Sequence, residues 1–111
     1  MKFNTDALLV DRDGDVIMDQ PKPGQDVGRA LTHGVVAVRA IDLQLPEDRD
    51  MKAEDARKRM ILGAKIMAGG IVELATEDVV FIQNRLVNFG TLLGGQVILA
   101  LDSGEIIAMR K

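Results

Sequence analysis

The densest apolar pattern lies between residues 50 and 89, and it predicts two amphipathic helices joined by a short link. The first helix is expected over residues 51–67, with Asp50 as its N-cap. Apolar and small residues at spacings of three and four share one face of it: Ala56, Met60, Gly63, Ala64 and Met67. Further apolar residues widen that face: Ile61, Leu62 and Ile66. This width predicts burial on two sides of the helix.

The second helix is expected over residues 76–89, with Thr76 as N-cap and two acids in the first turn, where the helix dipole favours them. Its expected core stripe is Val79, Ile82, Leu86 and Phe89. Its expected solvent face carries Gln83, Asn84, Arg85 and Asn88. The link at residues 71–74 is so short that we expect only an extended connection there.

The first twenty residues are typical of a β-hairpin. Asp13-Gly14 favours a two-residue type I′ turn, because both residues tolerate positive φ. In that register Val10 lies opposite Ile17, and Arg12 lies opposite the aspartate that follows the turn. The pairs are apolar or oppositely charged, so the register is self-consistent.

The same turn contains three aspartates at the spacing with which EF-hand calcium loops begin: Asp11, Asp13 and Asp15. The rest of the loop does not match. Val16 occupies the position that requires glycine, and Lys22 occupies the position of the bidentate glutamate. We therefore interpret this stretch as a turn and predict no metal site.

Beyond a proline-containing linker at residues 20–24, the apolar period predicts a helix from residue 26 to residue 41. Its expected core stripe is Val27, Ala30, Leu31, Gly34, Val35, Val38 and Ile41. A buried strand at 35–38 remains the alternative, because β-branched residues dominate there. His33, the only histidine, falls on the opposite side and is expected at the surface. Residues 42–50 are expected to form a polar loop.

The pattern after Gly90 is ambiguous. A helix over residues 91–101 and a hairpin formed by 96–101 and 105–109 both fit. In either case residues 105–109 are expected to form a strand, which could join the N-terminal hairpin. The whole chain, residues 1–111, is thus expected to be one α+β domain in which a β-hairpin packs on three or four amphipathic helices.

Composition narrows the functions open to this chain. It contains no cysteine, no tryptophan, no tyrosine and one histidine, which excludes disulfides, zinc–thiolate sites and thiol catalysis. No titratable groups converge in a recognisable motif, so we predict no catalytic residues, no cofactor and no small-molecule substrate, and hence no enzyme. A net charge of −3 and only three aromatic residues make nucleic-acid binding an unfavoured alternative.

The sequence contains no run of eighteen apolar residues and does not open with a basic-then-apolar leader. We therefore expect neither a membrane span nor a secretory signal, and we expect the protein in the cytoplasm.

Five stretches occur in a distinctive order after the N-terminal hairpin: 59–66, Val72-Glu73-Leu74, Thr76-Glu77-Asp78, 82–87 and Gly95-Gln96-Val97. In this order the chain resembles a set of small uncharacterised proteins encoded in tailed bacteriophages and prophages. It departs from them at Thr91-Leu92-Leu93, where they carry an aromatic residue. The resemblance implies a phage origin and a helix over residues 91–101. It implies no activity and no functional residues.

An apolar content of 47% without evident reaction chemistry predicts a protein–protein interaction module, with a phage accessory or assembly role implied by the resemblance. The expected partner is another protein chain or a second copy of this one. The residues expected to contact it are Leu92, Leu93, Ile106 and Ile107. The alternative is a regulator that binds nucleic acid through Arg29, Arg39, Arg57, Lys58 and Arg59.

Overall fold

A computed structural model describes residues 1–103. Within this range the main elements are β1 (Lys2–Asn4), α1 (His33–Asp42), α2 (Ala53–Met67), β2 (Ile71–Glu73), α3 (Thr76–Leu86) and α4 (Gly95–Ser103). Two 3₁₀ turns, Pro46–Asp48 and Val87–Phe89, and a π-helical turn, Gly90–Gly94, complete the regular structure of this range. The predicted α+β class, with an N-terminal hairpin packed on amphipathic helices, is confirmed.

The hairpin is present, but its register differs by one residue from the predicted one. Val10 lies opposite Val16, and the main-chain amide of Ile17 donates to the carbonyl of Leu9 over 2.9 Å. The loop therefore has three residues, and only its last, Gly14, has positive φ, at 88°. A type I′ turn needs two such residues. Instead, the carboxylate of Asp11 accepts from two loop amides and stabilises the wider turn.

The predicted extended link is a strand. β2 pairs antiparallel with β1, so that Phe3 lies opposite Val72. Phe3 is almost fully buried, and its burial fixes the two-stranded sheet to the helices. The two strands are far apart in sequence, and nothing in the local period of either one indicates the other.

The predicted helix over residues 26–41 begins only at His33. The residues before it are extended: the amide of Leu31 donates to the carbonyl of Ile17, and the carbonyl of Leu31 accepts from the amide of Leu9, both over 2.9 Å. Gly28 passes so close to the main chain of Asp19 that any Cβ would clash with its carbonyl oxygen. Pairing with the hairpin thus outweighs the helical period in this stretch. The alternative of a strand at 35–38 is wrong, because α1 covers it.

The helix pair agrees better with prediction. In α3 the buried residues include Val79, Ile82 and Leu86, as the stripe predicted. The caps differ: Lys52 precedes α2 in place of Asp50, and Ala75 occupies the N-cap position of α3 in place of Thr76, with no side-chain cap bond in either case.

The ambiguity after Gly90 is resolved in favour of a helix up to Ser103, which excludes the hairpin that begins at residue 96. Gln96 on α4 ties this helix to the hairpin. Its amide nitrogen donates to the carbonyl of Val10 over 2.7 Å, and its amide oxygen accepts from the Val10 N–H over 3.2 Å. The predicted strand at 105–109 lies outside the described residues.

Candidate interaction surface

Helix α2 exposes large apolar side chains to solvent. Met60 is 74% exposed, Ile61 63% and Met67 60%. Leaving such side chains in water forgoes roughly 1.5–3 kcal/mol each relative to full burial. Three of them on one fifteen-residue helix make α2 the strongest candidate for a contact surface in the described part of the chain.

Five exposed residues of α2 form a straight apolar row, here called the α2 stripe: Ala53, Ala56, Met60, Ala64 and Met67. At 100° per residue, all five lie within about 40° of the direction of Met60. The sequence predicted that four of these residues, Ala56 to Met67, are buried together with Gly63 and that α2 is covered on two sides. The structure corrects this: the α2 stripe is the uncovered side.

The covered side of α2 carries Leu62, Gly63 and Ile66. Ile66 is 1% exposed and belongs to the core. A Cβ on Gly63 would lie 4.0 Å from Cγ1 of Val38, an ordinary van der Waals distance, so this side of α2 faces α1. Helix α2 therefore has two apolar faces, and the fold uses one of them.

Clefts flank the α2 stripe where it borders α1. One, of about 440 Å³, includes Val35, Val38 and Met67 in its lining, and another, of about 380 Å³, includes Ile41 and Met60. The half-buried valines of α1 thus extend the exposed apolar surface beyond α2.

The first turn of α2 carries acidic residues and its last turn a basic one. Glu54 and Asp55 lie in the first turn and Lys65 in the last. This polarity matches the helix dipole, which favours acids at the N-terminus and bases at the C-terminus. Glu54 also forms an exposed ion pair with Lys58, with 3.5 Å between nitrogen and oxygen.

The residues predicted to contact a partner lie elsewhere. Leu92 and Leu93 are in the π-helical turn, and both are half-buried, with Leu93 packed against the core. Ile106 and Ile107 lie outside the described residues. The signal that could have located the α2 stripe was present in the sequence: α2 has more apolar positions than one face can hold.

The five basic residues of the nucleic-acid alternative do not form one patch. Arg29 and Arg39 line a cleft at α1, and Arg39 is held by Asp19 with 2.6 Å between nitrogen and oxygen. This contact lowers the pKa of Asp19. The other three residues lie on α2, where Lys58 pairs with Glu54 and Arg59 with Asp48.

The sequence did not predict a buried cluster of charged residues around Arg85 and Asp48. Arg85, expected at the surface of α3, is 4% exposed, and Asp48, expected in a polar loop, is 5% exposed. Arg85 binds Asp48 over 2.7 Å and also donates to the main-chain carbonyls of Ala40 and Leu43. Those carbonyls end α1, so Arg85 supplies donors that the helix terminus otherwise lacks.

The carboxylate of Asp48 accepts hydrogen bonds at both of its oxygens. It accepts from Arg85, from the main-chain amide of Leu45 and from Arg59, and these bonds, in that order, hold the pKa of its carboxyl well below its usual range. The guanidinium groups of Arg59 and Arg85 both lie over the ring of Phe81, 4.9 Å and 5.2 Å from its centroid. With its carboxylate so fully bonded, the cluster is suited to holding elements together and not to proton transfer.

His33 is 2% exposed, contrary to the surface position expected for it. Its main-chain amide donates to the carbonyl of Ala7 over 2.8 Å, which anchors the first turn of α1 to the N-terminal segment. Burial lowers the pKa of the ring, and Nδ1 has no hydrogen-bond partner.

Among residues 1–103, no three histidine or acidic side chains are arranged so that they could hold a metal ion. The helices of residues 1–103 do not include a candidate membrane span. No family model, no curated protein and no solved structure matches the chain.

Proposed function

We propose that this protein is a non-enzymatic protein–protein interaction module and that the α2 stripe is its contact surface. The observation that carries the proposal is the exposure of Met60 and Met67, 74% and 60%, in one row on a well-formed helix. Methionine side chains are flexible and polarisable, and they adapt to the shape of a partner surface.

We further propose that the protein has an accessory or assembly role during phage infection, in the host cytoplasm. The support is the order of short stretches in which the chain resembles small phage and prophage proteins. Leu92, Leu93, Ile106 and Ile107 remain candidates for a second contact region.

The nucleic-acid alternative has less support. Arg39, Lys58 and Arg59 already have acidic partners, and Phe81 is covered by two guanidinium groups. A chain that binds DNA or RNA would need a concentrated basic face.

The proposal is tested by photo-crosslinking from the α2 stripe in living cells of the protein's source. A photoreactive phenylalanine analogue replaces Met60, and in a matched control it replaces Val27, which is 68% exposed but far from α2 in the chain. We expect discrete crosslinked species from position 60 that are absent from position 27. An identical pattern at both positions, or no crosslinked species from position 60, would refute the proposal.

A further inference from the structure

The cleft of about 440 Å³ at the C-terminal end of the α2 stripe has both apolar and basic residues in its lining. Val35 and Val38 of α1 and Met67 of α2 supply the apolar side chains, and Met67 is also the last member of the α2 stripe. The two valines pack against the edge of the core and are half-buried. The exposed apolar surface of α2 therefore extends from Met67 into this cleft.

Three exposed bases line the same cleft: Lys22, Arg29 and Arg39. The one acid in the lining, Asp19, is bound by Arg39 through two hydrogen bonds of 2.6 Å and 3.2 Å. Asp6, in a neighbouring cleft, accepts from the main-chain amide of Gly70 over 2.9 Å. The side chain of Arg29 has neither a hydrogen bond nor an ion pair within residues 1–103. Although the chain has a net charge of −3, bases thus outnumber acids at this end of the stripe.

Arg29 projects from a main chain that is held in place. Its carbonyl accepts from the amide of Asp19 over 2.7 Å, and Gly28 lies too close to the Asp19 main chain for any Cβ to fit. A fixed main chain restricts the positions open to the guanidinium group and reduces the entropy lost when it binds a ligand. Guanidinium groups bind carboxylates with paired hydrogen bonds, as Arg39 already does in this cleft.

The N-terminal half of the α2 stripe has no such excess of bases. The cleft of about 380 Å³ beside Met60 is lined by one acid, Asp42, and one base, Arg59, whose guanidinium group binds Asp48 over 2.8 Å. The charge is therefore positive beside Met67 and balanced beside Met60. A charged partner that lies along the stripe is oriented by this difference.

We propose that the partner of the α2 stripe is an amphipathic segment of another protein, in which acidic residues flank an apolar side and lie against Arg29. The inference rests on the proposed contact function of the stripe and adds the chemistry and the orientation of the partner. Members of the stripe recur every three or four residues in a straight row, which the apolar side of a helix matches. A nucleic acid fits less well, because the cleft has no aromatic side chain in its lining on which a base could stack.

Two synthetic amphipathic peptides test the charge preference of the purified protein by fluorescence anisotropy. They share one face of leucine and methionine and differ only in the flanking residues, which are all glutamate in one and all lysine in the other. The net charge of the protein favours the lysine peptide, so a preference for the glutamate peptide must come from a local basic site. We expect the glutamate peptide to bind about tenfold more tightly at low salt, with a smaller preference at high salt. Equal or weaker binding of the glutamate peptide, or no binding of either peptide, would overturn the inference.

Charge reversal locates the site of this preference. Arg29→Glu should remove most of it, whereas Arg29→Lys should retain most of it, because lysine keeps the positive charge. Arg12→Glu is the matched control, since Arg12 is also exposed, does not line this cleft and gives the same change in net charge. An equal loss of preference in Arg29→Glu and Arg12→Glu would overturn the inference. Far-ultraviolet circular dichroism verifies that each variant is folded.

An apolar substitution tests whether the same peptide also contacts the α2 stripe. Met67→Gln should weaken binding of the glutamate peptide about threefold or more, because the partner loses apolar contact at this end. Val87→Gln, at a position that is 66% exposed and outside this cleft, should leave the affinity unchanged. Equal affinities of the two variants would contradict contact of the peptide with the stripe.

The same reversal is then applied to the crosslinking experiment in cells. With the photoreactive residue at position 60, Arg29→Glu should lower the yield of crosslinked species about threefold or more, and Arg12→Glu should leave it unchanged. A yield that Arg29→Glu does not lower would overturn the inference. So would retention of the protein on phosphatidylglycerol vesicles that Arg29→Glu abolishes, because it would identify a lipid surface as the occupant.

The two proposals fail in distinguishable ways. If position 60 crosslinks in cells and the purified protein does not prefer the glutamate peptide, the inference about the partner's charge is wrong and the contact function stands. If position 60 gives no crosslinked species, the contact function is wrong, and the peptide measurement alone decides whether the cleft binds acidic segments.

Discussion

Arg85 on α3 and Asp48 in the turn before α2 form a buried ion pair, with Nη2 of the arginine 2.7 Å from Oδ2 of the aspartate. The pair joins α3 to the segment between α1 and α2, and the remaining donors of Arg85 bind the carbonyls that end α1. One guanidinium group thus links three segments of the chain. Arginine suits this role because its donors are held in a fixed planar arrangement.

Replacing Arg85 by methionine should lower the free energy of unfolding by about 3–5 kcal/mol, because it leaves a buried carboxylate and helix-end carbonyls without their main donor. Urea denaturation followed by circular dichroism measures the change. The exposed Arg57, replaced in the same way, is the control and should change the stability by at most about 0.5 kcal/mol. Equal effects at the two positions would contradict the structural role of the pair.

The stability should fall as the pH drops through the ordinary histidine pKa of 6.5. Burial lowers the pKa of His33, so just below this pH the unfolded chain takes up a proton that the folded protein does not, and acid favours unfolding. Denaturation midpoints between about pH 8 and pH 5 measure this dependence.

His33→Leu should flatten that dependence, while any offset at about pH 8 reports altered packing alone. The acids with lowered pKa values do not interfere, because the stabilisation from Asp19, Asp48 and Glu73 is lost only as the pH falls below about 4.5, the ordinary value for glutamate. A wild-type slope that persists in His33→Leu would show that another group is responsible.

The neighbouring glycines at the start of α4 should respond oppositely to alanine. A Cβ on Gly94 would clash with the carbonyl oxygen of Leu86, so Gly94→Ala should destabilise by about 1–3 kcal/mol. Gly95 has helical φ and open space around it, so Gly95→Ala should stabilise by about 0.4–1 kcal/mol. Thermal denaturation measures the change in stability of each variant. A change of the same sign in both variants would be inconsistent with this packing.

Gln96→Met should expose the main-chain amide of Val10 to hydrogen exchange with solvent. The Gln96 amide binds both the N–H and the carbonyl of Val10, and its loss leaves both without this partner at a cost of about 1–3 kcal/mol. Hydrogen exchange at the Val10 amide should accelerate, whereas Gln44→Met, at an exposed position, should leave it unchanged. Unaltered protection in Gln96→Met would mean that Val10 finds another partner.

Much of the helix pair was predictable because its signals are local. The stripe of Val79, Ile82 and Leu86 and the stop at Gly69 need only the helical period and the freedom of glycine at positive φ, here 87°. The existence of the hairpin was predictable for the same reason. Its register was not, because the carboxylate of Asp11 selects a three-residue loop over the shorter type I′ turn.

The sequence by itself determined that α2 has more apolar residues than one face can use. Only the tertiary structure decided which face remains outside: Leu62 and Ile66 join the core, and Met60 is left in solvent. The strand pairing of Phe3 with Val72 and the burial of Arg85 were likewise decided by contacts between distant segments. Such contacts produce no periodic pattern in the sequence, because the local pattern of each segment does not depend on the segment that it contacts.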